Sequence, residues 1–137
     1  VIRERGVEPF EGARRYVEAA RDAGLRRAVV SSSENAHLLL EAAGLAPLFE
    51  LVVDGRAAAS EHLRGKPAPD TFLAAARRLG IPPQRAAVFE DAIAGVQAGR
   101  AGGFGRVVGI GQGAHADALR REGADVVVED LAELIDP

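Results

Sequence analysis

Along the chain, short apolar runs are separated by longer stretches in which apolar residues recur every three or four positions. Runs of the first kind predict buried strands, and the second spacing lines one face of a helix. The run at 86–89, Ala86-Ala87-Val88-Phe89, stops at two adjacent carboxylates, Glu90 and Asp91. A small-residue helix follows, with Ala92, Val96 and Gly99 on one face and the Gly95/Gly99 pair allowing close approach to a neighbour. Open α/β sheets gather ligands at the carboxyl ends of their strands, so an acidic doublet there marks a candidate site. Two like charges side by side ask for a cation or a basic group nearby.

The remaining elements follow from the same periods. A helix is predicted over 11–23, with Ala13, Tyr16, Val17 and Ala20 inward and Gly24 to end it. A strand over 27–30 ends at Ser31-Ser32-Ser33, and a helix over 35–43 buries Ala36, Leu39, Leu40 and Ala43 before Gly44. The strand at 51–53 leads into a polar loop, 54–69, in which Asp54 reads as a strand-end turn residue. Next comes a helix over 70–79 with Phe72, Leu73, Ala76 and Leu79 inward, closed by Gly80 and Pro82-Pro83. Beyond the acidic strand lie a strand at 106–110, a helix near 117–122, a strand at 125–128 and a last turn at 131–135. This alternation is a doubly wound α/β pattern with a mostly parallel sheet. With no repeat, low-complexity tract or dividing linker, the 137 residues read as a single domain.

Composition removes several function classes. The 17 basic and 20 acidic residues are intermixed, for a net charge of -3, so nucleic acid is not an expected partner. An apolar content of 47% rules out a largely disordered chain, and an aromatic content of 4% offers no stacking platform for a sugar or base. The absence of cysteine excludes disulfides and thiol chemistry and makes a cytoplasmic location the expectation. No apolar run nears the roughly 18 residues of a membrane helix, so no membrane partner is expected.

Three clusters fall at strand ends or in the loops beside them. The Ser31 to Ser33 turn can aim backbone N–H groups, hydroxyls and a positive helix end at an anion such as phosphate. Gly65-Lys66-Pro67 holds a lysine in a stiffened loop, and Glu90-Asp91 offers hard oxygens of the kind Mg²⁺ prefers together with water and substrate phosphate. Each has a plainer reading alone: a helix cap, a solvated lysine, a capping carboxylate. The signal lies in their succession. His37, His62 and His115 show no ligand spacing and read as solvated surface residues.

That succession, apolar strand to Ser, then GKPAPDTF, then FEDAIAGVQAGRAG, resembles the haloacid dehalogenase (HAD) superfamily of phosphotransferases, in its β-phosphoglucomutase-like and phosphatase-like branch. The similarity runs from about Val7 to the end of the chain. It implies a three-layer Rossmann-like core and Mg²⁺-dependent phosphoryl transfer on a small phosphate ester, such as a sugar phosphate, through an aspartyl-phosphate. By the same resemblance Ser31, the Ser32 amide and Asn35 would hold the phosphate, Lys66 would neutralise it and its nucleophile, and Asp91 with Glu90 would bind Mg²⁺. Glu34 stands where some relatives carry a basic residue.

The family's opening strand ends in Asp-x-Asp-Gly, whose first Asp accepts the phosphate, and a helical cap follows. Neither is among these residues; the nearest imitation, Val53-Asp54-Gly55-Arg56, lacks the second carboxylate and follows the Ser cluster instead of preceding it. The family's first strand lies between the strands that end at Val30 and near Val88. The expectation is therefore the carboxyl-terminal part of a HAD-like core, inactive alone, with an amino-terminal segment or another chain completing the sheet. A rival reading is a non-catalytic phosphate- or nucleotide-binding module. Gly109-Ile110-Gly111-Gln112-Gly113-Ala114 follows a strand with dinucleotide-fingerprint spacing, although only 23 residues come after it.

Overall fold

Helix, strand and turn alternate through the residues described by the computed structural model, 7–135. In order they are α1 (Val7–Asp22), β1 (Ala28–Val30), α2 (Ala36–Ala42), β2 (Leu51–Val53), α3 (Gly55–Ser60), α4 (Asp70–Leu79), β3 (Ala87–Glu90), α5 (Ile93–Ala101), β4 (Arg106–Ile110), α6 (Gly113–Arg121) and β5 (Val126–Val128). Short 3-10 turns occupy Ala46–Leu48, Pro83–Arg85 and Leu131–Leu134.

Each strand expected from an apolar run is present. The helices depart from expectation in three places: α1 begins at Val7, α6 begins at Gly113, and α3 lies inside the stretch expected to be a polar loop. Asp54 explains the last of these, since its carboxylate accepts a hydrogen bond from the Ala57 amide at 2.8 Å. The strand-end aspartate is thus the N-cap of a helix whose Ala57-Ala58-Ala59 core forms helix readily without any apolar period.

All strand pairing is parallel. β1 and β2 form one sheet; β3, β4 and β5, with β4 in the middle, form another. Side-chain alternation distributes the helices over two faces. On one face Val17, Val29 and Val52 pack against Leu40, Leu45 and Leu48, and Phe89 meets Tyr16 with ring centroids 5.1 Å apart. On the other, Val30 and Val88 pack against Phe72 and Ala98, while Val107 and Val127 pack against Val96 and Leu119. The result is three layers: α1 and α2, then the strands, then α4, α5 and α6. α1 joins this face through Val17, which packs on the Leu40, Leu45 and Leu48 cluster, and meets β3 through Tyr16.

Between β1 and β3 runs a seam. Val30 packs against the cluster of Phe72, Val88 and Ala98, which brings the two strands over one apolar patch, yet among the described residues no hydrogen-bond ladder joins them. The Ser31 amide donates to the Val53 carbonyl at 2.9 Å, so the Val30 carbonyl, one residue earlier, points to the opposite edge and into the seam.

Candidate functional site

The site begins with the alternation of β3. Val88 and Glu90 share a face, the one covered by α4 and α5, so a carboxylate at position 90 is driven inward among apolar side chains. Glu90 is 1% exposed. A buried charge must be paired, and Lys66 meets it: Nζ lies 2.7 Å from Glu90 Oε2. The other oxygen, Oε1, accepts from the amides of Asp91 at 3.3 Å and Ala92 at 3.4 Å. Gly95 in α5 makes the room, because a Cβ there would overlap Glu90 Cγ, Cδ and Oε2. The sequence suggests that the Gly95/Gly99 pair lets α5 lie close to a neighbour; at Gly95 that neighbour is the Glu90 side chain, and at Gly99 it is Val88 and Val107.

Lys66 is placed by its loop. Arg64 and Asp70 clamp the ends of the GKPAPD segment, with Arg64 Nε donating to Asp70 Oδ2 at 3.1 Å, Nη2 to Oδ1 at 3.0 Å and the Arg64 amide to Oδ2 at 3.0 Å. The Arg64 hydrogen bonds hold the Asp70 carboxyl below its ordinary value. Lys66 also donates to the Val30 carbonyl at 3.4 Å and lies 4.9 Å from the centroid of the Phe72 ring, a cation–π contact. One ammonium therefore spans the seam from the last residue of β1 to the last residue of β3.

Ser31 and Asp91 lie one residue beyond those two contacts. Ser31 Oγ accepts from the Ser33 amide and Ser33 Oγ from the Asn35 amide, both at 3.1 Å, so the turn is braced by its own hydroxyls. The Ser32 amide makes no hydrogen bond to the described residues. Asn35 is the exposed N-cap of α2, and its side chain makes no capping bond. Asp91 is 8% exposed. Its backbone carbonyl lies 2.6 Å from Nε2 of His115, which is exposed as the sequence suggests but makes this one contact to the site. His62 is exposed, and the His37 side chain lies outside the described residues.

The structure thus brings Lys66 and Glu90 into contact and sets the Ser31 turn and Asp91 at the two ends of that bridge. Sequence reasoning paired Glu90 with Asp91 as equivalent acids and missed both the Lys66 pair and the His115 contact. The Val88/Glu90 alternation held the signal for the first, because it turns Glu90 in among apolar side chains, where a charge needs a partner.

A parallel, three-layer α/β core with its charged groups at the carboxyl ends of the strands defines a Rossmann-like fold class. A family model described as haloacid dehalogenase-like hydrolase matches residues 1–103, and the chain belongs to that family. It is 55% identical over 138 residues to a beta-phosphoglucomutase of Mycobacterium tuberculosis, covering 98% of this chain and 53% of that protein. Among solved structures it is similar to a HAD family hydrolase from Deinococcus radiodurans crystallised with bound phosphate and sodium. The two share 40% identity and a TM-score of 0.79 over 90% of this chain and 56% of the other. A beta-phosphoglucomutase from Clostridium difficile matches with a TM-score of 0.78 at 26% identity, over 90% of this chain and 51% of that one. The chain spans about half the length of these relatives.

Proposed function

We propose that this chain forms the phosphate- and metal-binding side of an Mg²⁺-dependent enzyme that transfers a phosphoryl group from a small phosphate ester, such as a sugar phosphate, in the manner of a β-phosphoglucomutase or phosphatase. The observation that carries this reading is the bridge of Lys66 from Glu90 to the Val30 carbonyl. It holds a positive charge at the seam, between a hydroxyl-bearing turn and an acidic doublet.

In this reading the Ser31 hydroxyl, the Ser32 amide and Asn35 bind phosphate oxygens, and Lys66 neutralises the charge spread over them during transfer. Glu90 fixes the direction of Lys66. Asp91 provides carboxylate oxygens for Mg²⁺; the Glu90 oxygens, expected from the sequence to share that role, are engaged instead by Lys66 and by the Asp91 and Ala92 amides. Among the described residues no three His, Cys, Asp or Glu side chains cluster for a metal, so water and substrate phosphate would complete the shell, as suits this ion. When bound, Mg²⁺ would supply charge neutralisation at the phosphate.

The 137 residues contain no Asp-x-Asp-Gly, and the attacking carboxylate belongs in the seam between β1 and β3. We read the chain as the carboxyl-terminal part of the catalytic core, with the nucleophile on a strand outside these residues. The carboxylate would attack phosphorus and expel the alcohol, giving an aspartyl-phosphate. Water then gives a phosphatase, and a sugar-phosphate hydroxyl gives a mutase.

A chimera tests the reading: the amino-terminal half of the Mycobacterium tuberculosis relative joined ahead of this chain. The expected result is Mg²⁺-dependent turnover of small phosphate esters, falling about 10²-fold or more with Lys66→Ala or Asp91→Ala. A folded chimera without turnover, or variants as active as their parent, would overturn it.

A further inference from the structure

His115 lies in the first turn of α6, and its Nε2 is 2.6 Å from the Asp91 carbonyl. A carbonyl oxygen only accepts, so the ring donates, and Nε2 carries the proton. Asp91 sits in the turn from β3 to α5, where Ala92 is the N-cap of α5 and has no side-chain cap. A hydrogen bond to the Asp91 carbonyl fixes the peptide plane between residues 91 and 92, and with it the direction in which the Asp91 carboxylate leaves the chain. Gly111 clears the path for the ring, because a Cβ there would come within 2.9 Å of His115 Cδ2. Gly113, at φ +60, turns the chain into α6 two residues before the histidine.

From these contacts we propose that His115 is a positioning residue for the Glu90-Asp91 turn, and that the glycines of 111–113 serve to deliver its ring to Asp91. This explains the glycine pattern after β4 without a dinucleotide. It rests on the metal-binding reading of Asp91 given above, and it adds a link between α6 and the site. His115 acts through the backbone of Asp91, so its loss should weaken metal binding without removing a ligand. Partners of this outer kind typically change metal affinity by about 10- to 100-fold.

The test uses isotope-labelled full chain. Without metal, long-range proton–nitrogen spectra of the imidazole should show the Nε2–H form, and His115→Ala should move the Asp91 carbonyl and Ala92 amide signals. Titration with Mg²⁺, followed at Asp91, should then give about 10-fold or more weaker binding in His115→Ala. His115→Gln, which retains an N–H donor, should recover part of the loss, with both thermal midpoints close to the parent's. If the Asp91 and Ala92 signals ignore the substitution, or if Mg²⁺ affinity is unchanged while those signals move, the inference is overturned and the metal reading stands. If Mg²⁺ leaves Asp91 unaffected in the parent as well, both fail.

Discussion

Glu90 shows how a single residue organises this rim. It is buried, paired with Lys66 and seated against Gly95, so its geometry depends on the absence of a side chain on the neighbouring helix. Removing one member of a buried ion pair leaves an uncompensated charge and typically costs about 3–5 kcal/mol. A methyl group at 95 acts indirectly, by forcing the carboxylate off its partner. Gly95→Ala should therefore destabilise the chain by about 1–3 kcal/mol, the usual range for overpacking. It should also shift the Lys66 side-chain resonances; denaturant unfolding and the Lys66 spectrum check the two effects. A stable variant with an unchanged Lys66 spectrum would contradict the packing described here. The adjacent acids looked alike in the sequence because each is simply a carboxylate after an apolar run. Their difference was legible only through the two-residue alternation that puts Glu90 with Val88 and leaves Asp91 in the following turn.

The elements that deliver these residues are short and depend on side-chain anchors at their ends. Asp54 caps α3 through the Ala57 amide. Asp54→Ala should cost about 0.5–2 kcal/mol, typical of a lost N-cap, and thermal unfolding would measure it. This helix is not legible in the sequence because it begins with a glycine, contains three alanines and shows no apolar stripe; its start signal, an aspartate three residues ahead of a bonded amide, reads equally well as a turn. The GKPAPD loop has the opposite character: no helix or strand, but a bidentate Arg64–Asp70 clamp at its ends. Arg64 lowers the Asp70 pKa below its ordinary 3.8. A lowered acid contributes stability that is complete above the unfolded value and is lost as pH falls through the folded one. Amide signals of Gly65, Lys66 and Ala68 should accordingly hold their positions as pH is lowered to 3.8 and move only below it, whereas in Asp70→Asn they should be displaced at every pH. Movement that begins well above that value in the parent would show that the clamp does not form in solution.

At the scale of the whole molecule, the parallel strands and their helices were readable because alternation and helical spacing are local properties of the chain. The five strands among the described residues fall where short apolar runs placed them, and the three-layer core follows from which face each run buries. The order of the clusters pointed to a haloacid dehalogenase-like hydrolase, and the family match confirms it. Contacts across long separations were not readable: Lys66 reaching Val30 and Glu90, Tyr16 crossing to Phe89, and His115 meeting Asp91 all depend on topology. The seam between β1 and β3 joins the fold to the proposed chemistry. It leaves the Val30 carbonyl at an edge with a lysine as its partner, at the point where the family's nucleophile strand would pair.

The most direct test of a shared anion site is a backbone-amide titration of the chain with inorganic phosphate in the presence of Mg²⁺. Signals of Ser31, Ser32, Lys66 and Asp91 should move together along one saturation curve, and Lys66→Met should abolish the response at all four. Separate midpoints for these residues, or a response confined to other parts of the chain, would contradict the single phosphate site around Lys66.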